Sequence, residues 1–303
     1  MFVEMYVLPY YGEIDPTFLV AVTYTVFFGV MFGDVGQGLV LFLVGLLLWF
    51  KKKMPLARII SVIGVSSAIA GVFYGSVFGM EDLIPGFTVL SGNHPIQLLL
   101  FAAGFGLVLI ALAMGLNIVN GLRARDPGRW LFSPNGIAGF VLFFGNVGAG
   151  ISLFVFKRDL WNAPYLIFTT ALPLLALFFA VPLTRLATGA RPFLPAKPGE
   201  FFAESFFELF EVLLSYLSNV ISYVRIGAFA ISHAGMMLVV NGMAEMVESM
   251  AGKIVIMVAG NLFVICLEGL IVGIQCLRLQ FYEFFSRFYT GGGRQFTPIR
   301  LKK

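Results

Sequence analysis

Long apolar stretches recur along the whole chain and are separated by short polar segments that contain Gly and Pro. Most are long enough for a helix to cross a hydrocarbon core of ~30 Å, which takes about 17 to 25 residues. The pattern predicts an all-α membrane protein with eight transmembrane helices. The predicted spans are residues 17–33, 36–50, 57–79, 96–121, 134–156, 164–184, 206–246 and 253–289.

The last two predicted spans are longer than a bilayer requires. At 1.5 Å per residue, about 40 helical residues reach ~60 Å, twice the thickness of the hydrocarbon core. We therefore expect these two helices to be steeply tilted, or to run partly along the inner membrane surface.

Composition agrees with a membrane protein, because 59% of the 303 residues are hydrophobic and only 12% are charged. The net charge of +4 does not indicate a nucleic-acid partner, since the basic residues fall mainly in short loops between spans. Fourteen of the twenty Lys and Arg lie on one side of the eight-span arrangement, and the outer loops hold only Lys157, Arg158 and Lys253. This asymmetry predicts that both termini are cytoplasmic. The lipid bilayer that surrounds the spans is the first predicted partner.

No cofactor or metal site is predicted. The two cysteines, Cys266 and Cys276, lie in apolar helical sequence, and the chain has no Cys or His pattern with metal-ligand spacing. The segment 33–38 (GDVGQG) superficially suggests a nucleotide loop, but it follows a membrane span and lacks the Gly-Lys-Ser/Thr ending. Asp34 in this segment is either a functional carboxylate between two spans, which must be solvated or paired, or a cap of the hairpin that joins them.

Polar residues follow the seventh span at intervals of three and four, which places them on one helical face. They are Glu204, Glu208, Glu211, Ser215, Ser218, Ser222 and Arg225, with Asn219 and His233 beside them. Arg225 lies in a run with no other charged residue, where an arginine costs roughly 2.5 to 3.5 kcal/mol on insertion scales. A polar face of this kind can line a water-filled path.

The eighth span has a matching polar face, with Asn261, Glu268, Gln275 and Tyr282 at seven-residue intervals. This spacing predicts contact with a partner helix. Arg278 lies beside this face, but it is ~15 Å from Glu268 along the axis, so their counter-charges must come from elsewhere. The structural alternative is that these groups only hold helices together; His233 alone is weak evidence, but the combined set favours an ion path.

Five segments together resemble one known family, the membrane domain of the stator subunit of rotary V/A-type ATPases, called subunit a or subunit I. They are YVLPYYGEIDPT, FFGVMFGDVGQGL, SNVISYVRIGAFAISHA, LEGLIVGIQCLRLQFYEFF and FYTGGGRQFTPI. The resemblance covers essentially the whole chain. It implies a stator subunit in a prokaryotic cell membrane that forms two offset half-channels for H⁺ or Na⁺ against a rotor ring of proteolipids. Ion flow would be coupled to ATP hydrolysis or synthesis in other subunits, and this chain would hold no ATP site.

The resemblance also implies roles for individual residues. Arg225 matches the essential arginine that faces the rotor carboxylate, and Arg278 matches the second arginine of the family. Positions associated with the half-channels are matched by Glu211, His233, Glu268 and Gln275, to which the polar face of the seventh span adds Ser222 and Asn219. Asn219 and Gln280 stand where many eukaryotic members have histidines, which favours the bacterial or archaeal branch.

The domain prediction follows from these assignments. We expect one integral membrane domain over residues 1–303, with a six-helix supporting bundle at 1–200 and two ion-path helices at 201–303. The N-terminal cytosolic half of the family is expected to be absent, so peripheral-stalk subunits or a separate cytosolic half would be further partners. A non-conducting membrane scaffold is the alternative function. An independent secondary transporter would show two related halves, and the sequence has no such repeat.

Overall fold

A computed structural model of the chain describes residues 14–80, 85–157, 161–189 and 198–289. Within these ranges the secondary structure is helical apart from one isolated β-bridge between Val77 and Met80. The helices are α1 Thr17–Met31, α2 Val35–Lys52, α3 Pro55–Tyr74, α4 His94–Ala124, α5 Pro127–Trp130, α6 Ile137–Phe156, α7 Ala163–Phe178, α8 Ala180–Thr188, α9 Pro198–Glu245 and α10 Met250–Phe288. The predicted all-α membrane fold is confirmed.

Six of these helices are long and apolar enough to cross a membrane, namely α2, α3, α4, α6, α9 and α10. The pair α7 and α8 meets the same test jointly, which makes seven candidate spans in the described ranges if the pair is one span. The remaining predicted span corresponds to α1, an apolar helix of 15 residues. Each of the eight predicted segments is therefore helical, and six or seven are long enough to be candidate spans.

The predicted span 164–184 is broken rather than continuous, with a bend of 75° between α7 and α8. Pro182 explains the position of the break, because proline has no N–H to donate and its ring clashes with the carbonyl four residues earlier, that of Phe178. A π-helical turn at Ile167–Ala171 lies just before Pro173 in the same helix. Such turns and prolines are the usual causes of sharp changes in helix direction.

The two over-long helices are confirmed, since α9 has 48 residues and α10 extends over 39. Helix α10 is regular up to Leu279 and then continues through a π-helical turn, Gln280–Phe285, into Ser286–Phe288. The sequence pattern did not predict this change in helical geometry.

Backbone contacts group the described residues into two compact units. The first unit contains residues 16–80, 85–106 and 221–282, and the second contains 14–15, 107–157, 161–189, 198–220 and 283–289. The boundaries of these two units differ from the predicted division into residues 1–200 and 201–303. That division concerns function and stays a prediction. Each unit is described by itself below.

In the first unit, α2 and α3 pack backbone against backbone. A Cβ atom on Gly38 would lie 2.6 Å from the nitrogen of Ala68 and 2.8 Å from the carbonyl oxygen of Gly64, so only glycine fits there. Small residues allow this close approach between membrane helices, where dispersion contacts replace the hydrophobic effect as the source of packing energy. In the same group, Phe27 and Phe28 of α1 and Phe32, directly after α1, are buried. The result is a tight three-helix group beside the two long helices.

In the second unit, polar side chains hold the end of α10. Arg129 donates from Nη2 to the Phe288 carbonyl at 2.9 Å and from Nε to Asn117 Oδ1 at 3.1 Å. Arg287 is buried and donates to Asn135 Oδ1 at 3.2 Å. Hydrogen bonds from charged groups are stronger than neutral ones, so these contacts fix the C-terminal turn of α10 within its unit.

Candidate functional site

A buried acid and a histidine form a pair within the first unit. His233 Nδ1 on α9 and Glu268 Oε2 on α10 are 2.6 Å apart, and both side chains are almost fully buried. The other polar atom of each group, His233 Nε2 and Glu268 Oε1, is buried without a hydrogen-bond partner among the described residues. Buried polar atoms are nearly always satisfied, so each of these two atoms is open to one further hydrogen bond or to a transferred proton.

Arg225 forms a second polar layer on the same two helices. Its Nη1 donates to Gln275 Oε1 at 3.2 Å, and the arginine is half-buried. This partner is a neutral amide, whose hydrogen bond orients the guanidinium and adds no charge of its own. Because Arg225 contacts Gln275 while His233 contacts Glu268, α9 and α10 run antiparallel here. The two layers are ~11 Å apart along the axes.

The polar face predicted for α10 does meet neighbouring helices. Asn261 accepts a hydrogen bond from Gln37 on α2 at 2.9 Å, and Glu268 and Gln275 contact α9 as described above. The fourth member of the face, Tyr282, is exposed. The seven-residue spacing therefore predicted the contacting face correctly at Asn261, Glu268 and Gln275.

The structure does not bring all of the predicted site residues together. Arg278 is exposed, and it makes no hydrogen bond or ion pair within the described ranges. Ser222 is half-buried one turn before Arg225. In the second unit, Glu211 is exposed, and Asn219 donates to Ser215 Oγ at 3.2 Å. Glu211, Asn219 and Ser222 lie on α9 and Arg278 lies on α10, and the role of all four stays a prediction.

A cavity of about 730 Å³ lies within the first unit, at the connected ends of α9 and α10. It is lined by Ala234, Leu238, Asn241, Glu245, Lys253 and Met257, among others. Ala234 follows His233 directly in the chain, so the cavity reaches α9 one residue from the buried pair. At its other end the lining contains the carboxylate of Glu245 and the ammonium group of Lys253.

Sequence reasoning missed the buried polar residue Gln37 and left the role of Asp34 open. The Asp34 carboxylate is fully buried and accepts the N–H of Gln37 at 2.9 Å, so the interpretation as a cap is confirmed, and the structure places that cap at the start of α2. Gln37 is also fully buried, and its amide reaches both long helices. A glutamine within the first turn of an apolar span was the signal that could have identified it.

These features define a polytopic α-helical membrane protein with an arginine and a buried acid–histidine pair on two long helices, and comparison with known proteins agrees. Residues 1–74 match the V-type ATPase 116kDa subunit family. The chain is 29% identical to the A-type ATP synthase subunit I of Aeropyrum pernix, over 99% of this chain and 49% of that protein. It is 28% identical to that of Methanocaldococcus jannaschii, over 100% and 47%. The corresponding Pyrococcus horikoshii protein is 29% identical, over 100% and 46%.

These matches agree with the resemblance found in the sequence: the chain is an integral membrane protein that is similar to subunit I of the A-type ATP synthases. It spans about half the length of the curated relatives it matches. Two segments that carried the resemblance, residues 6–17 and 288–299, lie largely outside the described residues, as do both ends of the chain.

Proposed function

We propose that the chain forms the ion path of a rotary ATPase stator, with two offset half-channels for H⁺ or Na⁺ that face a ring of rotor carboxylates. The observation that carries the proposal is the Arg225–Gln275 layer lying two helical turns from the buried His233–Glu268 pair. Arginine stays protonated at accessible pH and keeps its charge inside a membrane. A guanidinium at this position would stabilise an ionised rotor carboxylate and would repel a cation that crossed directly between the half-channels.

The His233–Glu268 pair suits the outer half-channel. An imidazole and a carboxylate can both accept and release protons, and each has an open polar atom in the buried interior. The cavity beside Ala234 then supplies the connection to water on the outer side, where the charge distribution also places Lys253. Ions would pass from the cavity to the pair, and from the pair toward the rotor at the Arg225 layer.

The inner half-channel is assigned to the polar face of α9 that precedes Arg225. Glu211, Asn219 and Ser222 supply a carboxylate, an amide and a hydroxyl along that face, and the first of these is exposed. Arg278 would be the second positive charge near the rotor. Both termini would be cytoplasmic in this arrangement, in a prokaryotic cell membrane.

The cavity can be tested with two adjacent residues of equal exposure. Leu238 and Val239 are 65% and 61% exposed, but only Leu238 lines the cavity. With Cys266 and Cys276 replaced, Leu238→Cys should react with an impermeant cationic thiol reagent at least about tenfold faster than Val239→Cys. The reason is that the reactive thiolate forms in water and not in lipid. The measurement is the labelling rate in sealed vesicles with the outer face accessible.

The Val239→Cys variant is the matched control, because it lies on the same helix with nearly the same exposed fraction. Equal labelling rates at the two positions would show that the cavity is filled by lipid, and this would remove the outer half-channel from the proposal. Faster labelling of Leu238→Cys only from the inner face would reverse the proposed orientation.

Partner identity distinguishes the proposal from a non-conducting scaffold. We expect mild-detergent extracts of the native membrane to yield this chain together with a ring of small proteolipids, identified by mass spectrometry, and with peripheral-stalk subunits or a cytosolic half. A rotor ring has membrane carboxylates, which Arg225 can pair with. Recovery of stalk proteins without a proteolipid ring, at the same extraction conditions, would favour the scaffold.

A further inference from the structure

The segment 33–38 is not absorbed by the proposed ion path, yet it contains the most completely buried acid of the described residues. The Asp34 carboxylate is 0% exposed and accepts four hydrogen bonds. Its Oδ1 accepts the N–H groups of Gln37 at 2.9 Å and Phe78 at 3.0 Å. Its Oδ2 accepts the Ser76 hydroxyl at 2.7 Å and the Gly79 N–H at 2.8 Å. A carboxylate has about four lone-pair sites, so this one has no acceptor left for a mobile ion.

Three of the four donors come from a tight turn after α3, at Ser76, Phe78 and Gly79. Phe78 and Gly79 both adopt positive φ angles, +50° and +72°, and their successive N–H groups donate to the two oxygens of the same carboxylate, Phe78 to Oδ1 and Gly79 to Oδ2. Consecutive backbone N–H groups arranged in this way form an anion-binding concavity. Val77 and Met80 close the turn with reciprocal backbone hydrogen bonds of 3.1 and 3.0 Å. Asp34 therefore fixes both the start of α2 and the turn 76–80.

Both parts of this assembly reach the long helices. The Gly79 carbonyl accepts from Asn241 Nδ2 on α9 at 2.7 Å. Gln37 uses its amide nitrogen twice, with Asn261 Oδ1 on α10 at 2.9 Å and with Met237 Sδ on α9 at 3.1 Å. A side-chain amide has two N–H donors, so one glutamine can be shared between two helices. Helices α9 and α10 are thus attached to the same fixed point.

This fixed point lies close to the acid–histidine pair. Met237 is one helical turn after His233 on α9, and Asn261 is two turns before Glu268 on α10. The contacts to Gln37 restrain the axial position of each helix relative to the other. A shift of a single residue along one axis moves a side chain by ~1.5 Å and rotates it by ~100°. The 2.6 Å contact between His233 and Glu268 would not survive that shift.

We infer that Asp34, Gln37 and the turn 76–80 form a positioning device that sets the register of α9 against α10 and so brings His233 to Glu268. We call this set of residues the register clamp. Asp34 acts in it as a structural anchor and not as an ion relay. Gln37 is a positioning residue for the pair. The significance for transport rests on the proposed function, whereas the geometric claim does not.

Crosslinking measures the register directly. In a chain with Cys266 and Cys276 replaced, His233→Cys and Glu268→Cys are joined by a short bifunctional thiol reagent in native membranes, and the crosslinked peptides are quantified by mass spectrometry. These two changes remove the natural pair, which leaves the register clamp to hold the helices. Adding Gln37→Met should slow crosslinking about fivefold, the factor expected for the loss of one net hydrogen bond.

Gln97→Met is the matched control, because Gln97 is an exposed glutamine of the same unit that makes no side-chain hydrogen bond within the described residues. We expect no change in crosslinking for this variant. If Gln37→Met prevents accumulation of the chain, Asn261→Leu removes the same bond from the other side and leaves the Asp34 contacts intact. Crosslinking at the control rate in Gln37→Met or in Asn261→Leu would overturn the inference.

Ion pumping separates this inference from the proposed function. In the assembled complex with the natural His233–Glu268 pair, Gln37→Met should lower pumping, but it should have little further effect after His233→Ala. Slower crosslinking without any loss of pumping would leave the register clamp in place and count against the ion path. An equal loss of pumping in both backgrounds would count against the register clamp, because it would mean that Gln37 does not act through the pair.

Discussion

Replacing Arg225 by Ala is expected to reduce coupled ion pumping by at least about 100-fold, as found when a preorganised charge is removed from an electrostatic site. The chain should still insert and assemble, because Arg225 is half-buried and the apolar surroundings in α9 remain. Without the guanidinium, a rotor carboxylate loses its positive partner and the barrier between the half-channels disappears. The measurement is ATP-driven acidification or Na⁺ uptake by vesicles that contain the whole complex.

Two further variants define what the arginine contributes. Arg225→Lys keeps a positive charge only while the amine stays protonated, which burial opposes, so we expect partial pumping that declines as the pH rises. Gln275→Leu keeps the guanidinium but removes the 3.2 Å hydrogen bond that orients it, so a loss of about fivefold is expected. Full loss in Gln275→Leu would mean that orientation matters as much as charge.

Arg58→Ala is the matched control for the arginine series. Arg58 belongs to the same unit, is exposed at the start of α3, and lies over the ring of Trp49 at 4.8 Å. We expect pumping by Arg58→Ala to remain at the wild-type level. Normal pumping by Arg225→Ala in an assembled complex would remove the basis of the proposed function.

Run length and helical spacing predicted most of the fold from the sequence, because a bilayer imposes a minimum length on each apolar helix. They also predicted the over-long helices and the contacting face of α10. The broken helix was missed, since the interior of the run contains two prolines, Pro173 and Pro182, and the sequence does not show which of them interrupts the helix. The π-helical turn after Leu279 was missed for a related reason, because its residues, QFYEFF, have no distinct pattern.

Pairing within the site was beyond sequence reasoning. His233 and Glu268 are 35 residues apart, and their contact depends on how far α9 is displaced along its axis relative to α10. Spacing within one helix contains no information about that displacement. In the structure, this displacement is set by contacts of Gln37, Asn261 and Asn241, which lie on three different helices. Each of them is, by itself, an ordinary polar residue in an apolar run. The sequence therefore identified the candidate residues but not the partner of each.

The buried pair offers a way to separate transport from stability. His233→Leu leaves the Glu268 carboxylate buried without its partner, which typically destabilises a protein by about 3 to 5 kcal/mol when the remaining group is charged. The double variant His233→Leu/Glu268→Leu removes both polar groups and should recover most of that loss, because a well-packed apolar pair can replace a buried ion pair. We expect pumping to fall at least about tenfold in both variants, since a general acid–base group contributes at least that much to proton transfer.

Thermal unfolding of the detergent-purified complex and pumping by reconstituted vesicles give the two readouts. Glu248→Gln is the control for the loss of an acid, because Glu248 is exposed in the connection between α9 and α10, and both of its readouts should stay unchanged. If the double variant recovers stability and pumps normally, the His233–Glu268 pair contributes to packing and not to ion transport. Recovered stability with pumping still lost assigns the two groups to the ion path, because the only function then missing is the one that needs a titratable side chain inside the membrane.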